Sequence, residues 1–245
     1  MSSASQHLGR AIPRKFFMSI RDLSFWYYSA RADSMLKKLR SKQNEQQAFE
    51  SLYGTLNDPW STTVPYYRYQ LRKYQVMLSC LPSRSYACAL DIGCGLGVLT
   101  RMLAPAVTEV LGVDFSRNAV ERAAQLSVGT KNARFKQADL LHIKDLSEGV
   151  FDLIVMADTL YYLSPQTDEL FVDIRDQLTG LLAPGGILLL VNHFYFRFDA
   201  LSRVSRRIHD CFRNGPGLRH LGEYRKPFYL VGVLVRTSEE SELQK

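Results

Sequence analysis

This chain is sparing with cysteine and has no long apolar run. Its four cysteines, Cys80, Cys88, Cys94 and Cys211, form no Cys-x-x-Cys pair. Neither a disulfide frame nor a zinc site is therefore expected, and they read as reduced thiols of a cytoplasmic protein. No stretch approaches the roughly 20 apolar residues that a membrane-crossing helix needs, and Ile187 to Val191 reads as a core strand. The N-terminus does not read as a secretory signal, because Phe16-Phe17-Met18 is soon broken by Arg21 and Asp22. Histidine and carboxylate residues lack metal-ligand spacing, so no metal is expected. There is no internal repeat and no RNA-binding signature, and the aromatics are not spaced as a base-stacking platform. Nucleic acid is thus not an expected partner.

What is present suits one α/β domain with additions: 245 residues of ordinary apolar content. The net charge of +7 is uneven. Residues 1–56 carry 9 Lys/Arg against 4 Asp/Glu, and residues 192–236 carry 9 against 3. The central part, 57–191, carries 12 against 14. The surplus sits on two additions expected to flank the mouth of a site. It suits an anionic substrate, a nucleic acid, an acidic partner or a solvated basic surface.

The organising stretch is Ala89-Leu90-Asp91-Ile92-Gly93-Cys94-Gly95-Leu96-Gly97-Val98-Leu99. Ala87 to Ile92 reads as a buried parallel strand, and a helix is expected from about Leu96. The glycines between them permit positive φ and close approach of a ligand to the main chain. A helix N-terminus beyond them suits a carboxylate or phosphate. A dinucleotide turn, Gly-x-Gly-x-x-Gly, does not fit, because Val98 occupies its third glycine position. The pattern acid-x-Gly-x-Gly-x-Gly fits from Asp91 to Gly97 at every fixed position. Cys94 within it reads most simply as a small residue that fits.

A second acid is needed at the end of the next strand to hold ribose hydroxyls, about 20 residues on. Val107 to Val113 is that strand, and Asp114 closes it. A third strand, Ala133 to Gln137, leads into Ala138-Asp139-Leu140. A fourth, Phe151 to Met156, is followed by Ala157-Asp158-Thr159-Leu160-Tyr161-Tyr162-Leu163. A fifth, Ile187 to Val191, follows Leu182-Ala183-Pro184-Gly185-Gly186.

This succession resembles the class I S-adenosylmethionine (SAM)-dependent methyltransferases. The resemblance implies a Rossmann-like, doubly wound α/β sheet of about seven strands, mostly parallel with an antiparallel C-terminal hairpin near 219–224 and 228–236. It implies a methyltransferase domain over 57–236, a helical extension over 1–56 and a polar tail over 237–245. It implies SAM as cofactor, held by Asp91, Gly93, Cys94, Gly95, Gly97, Asp114, Phe115, Ala138, Asp139, Leu140 and Ala157, with Asp139 on the adenine amino group.

Asn57-Asp58-Pro59-Trp60, then Tyr66 to Leu78 with Lys73-Tyr74, narrows the likeness to the nodulation protein S branch. Leu160-Tyr161-Tyr162-Leu163, His209-Asp210-x-Phe212 and Gly217-Leu218-Arg219-His220 fit the same branch. Those enzymes N-methylate the amino group of a deacylated chitooligosaccharide. The branch implies Trp60 near the cofactor and Lys73 paired with the methionine carboxylate of SAM. Departures fall where substrate binds: Ala157-Asp158 in place of Ser-Glu, Asn192-His193 in place of His-Trp, and an aromatic, basic segment from Phe194 to Arg207.

Candidate catalytic residues lie at the strand ends on the ligand side. His193 is the candidate base, and Asp158 the candidate carboxylate for an acceptor, with an N-cap as its plainer reading. Tyr161 or Tyr162 lines the pocket. An anionic acceptor would engage Arg197, Arg203, Arg206 or Arg207. From Pro13 to about Tyr53 the apolar spacing is helical, divided near 41–47. These helices read as simple packing, a lid, or a membrane-surface or dimer contact.

The expected activity is methyl transfer to a small-molecule acceptor, first at an amine nitrogen and second at oxygen. A catalytically silent SAM-binding protein is the other class. RNA methylation is weaker still, since no Asn/Asp-Pro-Pro-Tyr follows the fourth strand.

Overall fold

A computed structural model describes residues 20–65, 67–146, 148–196 and 198–237. The expected polar N-terminus, the start of the first helix near Pro13 and nearly all of the tail lie outside them. The chain opens with helices α1 (Ile20–Arg40), α2 (Glu45–Thr55) and α3 (Arg68–Ser79). It continues as β1 (Tyr86–Ile92), α4 (Val98–Leu103), β2 (Val107–Asp114), α5 (Arg117–Leu126), β3 (Ala133–Gln137) and β4 (Phe151–Ala157). The last part is α6 (Asp168–Leu181), β5 (Leu182–Phe194), α7 (Ala200–Arg213), β6 (Leu218–Lys226) and β7 (Phe228–Arg236).

The helices begin where side chains satisfy the first free N–H groups. Asn44 accepts from Gln47, Ser116 from Ala119, Thr167 from Leu170 and Asp199 from Ser202. The break between α1 and α2 falls within the polar stretch expected to divide them.

The seven strands order as β3-β2-β1-β4-β5-β7-β6. The first five run parallel, and β7 pairs antiparallel with both β5 and β6. The period of two sends alternate residues to opposite faces. Leu90, Ile92, Ile154, Met156, Leu188 and Leu190 pack with Phe171 and Ile174 of α6 and Ile208 and Phe212 of α7. Ala89, Leu153, Val155, Leu189 and Val191 pack with Met77 of α3 and Leu99 and Leu103 of α4. Covered on both faces, the central strands read as continuous apolar runs. No helix among the described residues is long and apolar enough to cross a membrane.

Two elements differ from the sequence reading. α4 begins at Val98, two residues later than expected, because Gly97 still holds φ +70°. β5 is far longer than Ile187 to Val191. Its parallel pairing with β4 ends at Val191, but antiparallel pairing with β7 carries it to Phe194 opposite Phe228.

The sheet changes direction of growth at β1, between β2 and β4, so its ligand crevice opens beyond the C-terminal end of β1. Helix α2 is fastened beside that crevice. The Glu50 carboxylate accepts from the N–H of Asn118 at 3.1 Å and the hydroxyl of Ser116 at 3.1 Å, at the start of α5. At the C-terminal end of α2 and just beyond it, the Arg122 guanidinium donates to the carbonyls of Tyr53 (2.7 Å) and Asn57 (3.2 Å). Glu50→Ala removes an anion from a helix N-terminus and leaves N–H groups unpaired. The expected loss is about 1–2 kcal/mol in urea unfolding with an unchanged m value.

Candidate functional site

The turn after β1 is held by β2. The N–H groups of Gly93 and Cys94 both donate to the Val113 carbonyl, at 2.8 and 2.9 Å. Gly93, Gly95 and Gly97 hold φ of +71°, +51° and +70°. A Cβ on Gly93 would come within 2.4 Å of the Thr159 hydroxyl, and one on Gly97 within 2.7 Å of the Phe135 ring. Glycine is therefore required both by conformation and by space.

Two acids secure this turn. Asp114 Oδ2 accepts from the Gly95 N–H and Oδ1 from the Ser116 N–H, each at 2.9 Å. Burial outweighs these bonds and pushes the Asp114 carboxyl up to about 6. Asp91 lies behind the turn, buried, and accepts from the Thr100 hydroxyl at 2.6 Å. Burial pushes it up to about 7.

A cleft of about 1370 Å³, its open mouth included, lies in front of this turn. Of the residues expected at the site, Trp60, Gly93, Cys94, Gly95, Asp114, Phe115, Ala138, Asp139, Leu140, Ala157, Asp158 and Tyr161 line it. Lys73, Asp91, Gly97 and His193 are not among the residues that line it. Cys94 is buried, as a small residue that fits. The Asp139 carboxylate accepts from the Leu141 N–H at 2.9 Å.

Sequence reasoning missed an aromatic wall. Phe49 and Tyr53 of α2 line the cleft beside Trp60, with ring centroids 6.4 and 5.7 Å from the Trp60 ring. Tyr162 completes it, 5.7 Å from Trp60. Asp33 of α1 joins the pieces: its Oδ1 accepts from Trp60 Nε1 at 3.1 Å and from the Tyr162 hydroxyl at 3.0 Å. The helical spacing of Phe49 and Tyr53 marked an apolar face, but nothing local marked its partner.

Asp158 lies at the inner end. Its backbone takes φ +55°, uncommon for a residue other than glycine, and its N–H donates to the Val191 carbonyl at 2.8 Å. The N-cap reading of this residue does not hold. Thr159 occupies the cap of the single 3-10 turn that follows, and the Asp158 carboxylate points elsewhere. Oδ2 pairs with the buried Lys73 ammonium, and Oδ1 is buried with no partner. Lys73 Nζ also lies 5.3 Å from the centre of the Tyr229 ring. The lysine expected on the cofactor is thus paired with Asp158.

His193 packs edge-on to Tyr161, centroids 4.0 Å apart, and stacks on Tyr195 at 5.5 Å. Burial lowers its basicity, partly offset by Asp158. Its Nε2 is buried without a partner, as are both amide atoms of Asn192.

The charge of the cleft is opposite to that of the chain. Glu45, Asp58, Asp114, Asp139 and Asp158 line it, and no lysine, arginine or histidine does among the described residues. The arginines expected for an anionic acceptor are used elsewhere. Arg206 pairs with Glu223 at 2.7 Å and Arg207 with Asp168 at 2.7 Å, while Arg203 donates to the Phe198 carbonyl. Arg197 lies outside the described residues.

The sheet order, the glycine turn and the paired acids at the ends of β1 and β2 resemble the fold of the class I SAM-dependent methyltransferases. Residues 90–188 match the family described as "Methyltransferase domain". Nodulation protein S of Bradyrhizobium diazoefficiens is 31% identical over 134 residues, 55% of this chain and 62% of that protein. Carboxy-S-adenosyl-L-methionine synthase of Hydrogenovibrio crunogenus is 27% identical over 161 residues, 63% of this chain and 62% of that protein. The chain thus spans about 62% of the length of both relatives. The crystal structure of N-methyltransferase NodS from Bradyrhizobium japonicum WM9, in complex with S-adenosyl-L-homocysteine, superposes with a TM-score of 0.63 at 20% identity. That overlap covers 86% of this chain and 99% of that one, a likeness of fold.

The raised Asp91 carboxyl has a measurable consequence. Between the ordinary value of 3.8 and about 7, the folded protein keeps a proton that the unfolded chain has lost. The contribution of Asp91 to stability therefore falls as pH rises through that window. Urea unfolding of Asp91→Asn is expected to gain on wild type as pH is raised across it. A constant difference between the two would refute the assignment.

Proposed function

We propose that this protein is a SAM-dependent methyltransferase whose acceptor is a small-molecule amine. The observation that carries this reading is the cleft itself: five carboxylates line it, and of these only Asp158 and Glu45 pair with a lysine or arginine among the described residues, Lys73 and Arg40. Both a sulfonium and an ammonium are cations, and such a wall favours them over anions.

The residues fit the cofactor. The glycine turn presents the main chain of Gly93 and Gly95 to the cleft with no side chain over it. Asp114 stands where ribose hydroxyls are held, Asp139 and the Ala138 and Leu140 backbone form the adenine side, and Trp60 with Phe49 walls the face. When bound, SAM supplies an electrophilic methyl group on sulfur whose leaving group is already activated.

The chain's own residues do the rest. Asp158 Oδ1, unpaired and buried, holds the acceptor ammonium. His193 Nε2, also unpaired and beside Tyr161, takes its proton and frees the nitrogen lone pair. Lys73 holds Asp158 in place. The aromatic wall and α2 exclude water and fix the acceptor's approach. An alcohol acceptor suits this site less, because burial has weakened the one available base.

Asp114→Ala is expected to weaken SAM affinity roughly tenfold or more in calorimetric titration. Wild-type protein that binds neither SAM nor S-adenosylhomocysteine would sink the proposal. His193→Gln is expected to lower kcat about 100-fold while leaving SAM affinity unchanged. The acid limb of the wild-type kcat profile should lie below the ordinary imidazole value of 6.5 and disappear in the variant.

A further inference from the structure

Just past β5, the chain makes a tight turn that displays apolar side chains to solvent. The Phe196 N–H donates to Asp199 Oδ2 at 2.8 Å, and the Phe196 carbonyl accepts from the Asp199 N–H at 3.3 Å. The turn holds the rings of Phe196 and Phe198 stacked, centroids 5.6 Å apart and planes 10° apart. They are nonetheless 57% and 78% exposed, and Leu201 in the first turn of α7 is 47% exposed. Single exposed apolar residues are ordinary, but a stacked pair held out on a braced turn is not.

Positive charge surrounds this turn. Phe194 pairs with Phe228, which brings the β6–β7 turn alongside. The Arg225 guanidinium there lies 4.9 Å from the Phe194 ring centre, and Lys226 follows it. Arg203 donates to the Phe198 carbonyl at 2.7 Å. None of Arg203, Arg225 and Lys226 has a carboxylate partner among the described residues, and the sequence places Arg197 between the two phenylalanines. Trp26 of α1 touches Tyr195 and Phe228 at 5.4 Å each, and the next two residues, Tyr27 and Tyr28, are exposed.

We propose that this face docks on an anionic lipid bilayer surface, with Phe196 and Phe198 entering the headgroup region and the cations around them meeting phosphates. Charge decides between occupants. A second copy of this chain would bring the same uncompensated cations against these, whereas anionic headgroups complement them. Aromatic rings beside basic residues are the side chains that such an interface accommodates. The proposal does not depend on methyl transfer, since none of these residues lines the cleft.

The test is co-sedimentation of the full chain with vesicles of phosphatidylcholine alone and of phosphatidylcholine mixed with phosphatidylglycerol. Binding to the mixed vesicles is expected to be roughly tenfold tighter or more, given about 1 kcal/mol for each basic residue at the surface. The double variant Phe196→Glu, Phe198→Glu should lose vesicle binding while keeping its melting temperature and SAM affinity. Arg203→Gln should bind the mixed vesicles several-fold more weakly. Equal binding to both vesicle types, no binding, or binding indifferent to the phenylalanines would overturn the proposal. So would self-association in sedimentation velocity that the double variant abolishes, because the face would then join two copies.

Discussion

The Asp114 carboxylate, bonded to the Gly95 N–H, is the constraint on which the site depends. It acts at the end of β2 while the turn it holds belongs to β1, so it can work only because the two strands run parallel and end level, Ile92 beside Val113. The Val113 carbonyl binds the two preceding N–H groups of the same turn. With three backbone donors of the turn committed to β2, the glycines hold their left-handed conformations and the cleft has a fixed floor. Asp91 supports the floor from beneath through Thr100 on α4, and burial costs it much of its acidity.

The walls of the cleft come from a distant part of the chain. Glu50 fastens the middle of α2, and Arg122 its C-terminal end, against α5, and this places Phe49 and Tyr53 over the turn. Asp33 then ties α1 to Trp60 and Tyr162 through a single carboxylate oxygen. The N-terminal helices are therefore part of the site's wall, held by charge-assisted hydrogen bonds as well as by the apolar contacts of Leu36, Ala48 and Leu52.

Net charge and local charge point in opposite directions. The chain carries +7, yet the cleft gathers carboxylates from the start of α2, a loop and three strand ends, and no lysine, arginine or histidine lines it among the described residues. The basic surplus is spent on ion pairs with Glu223 and Asp168 and on the rim near Phe198. A substrate class inferred from the total would have been anionic, whereas one inferred from the cleft is cationic.

Most of the sheet was legible from the sequence, because buried strands are continuous apolar runs and the motif between them needs glycine at set positions. Asp91, Gly93, Gly95 and Asp114 could be placed for that reason, each by an immediate backbone requirement. The length of β5 was not legible, since it depends on pairing with β7, some 35 residues on along the chain. Nor was the partner of Lys73, which lies 85 residues away at Asp158. The aromatic wall escaped for the same reason: Phe49 and Tyr53 announce an apolar helix face, but which surface covers it is a matter of docking. The local pattern of residues determined the fold class and the cofactor turn of this protein. Tertiary structure alone decided the sign of the cleft's charge and the burial that shifts its acids and its histidine, because both are sums over groups that only folding brings together.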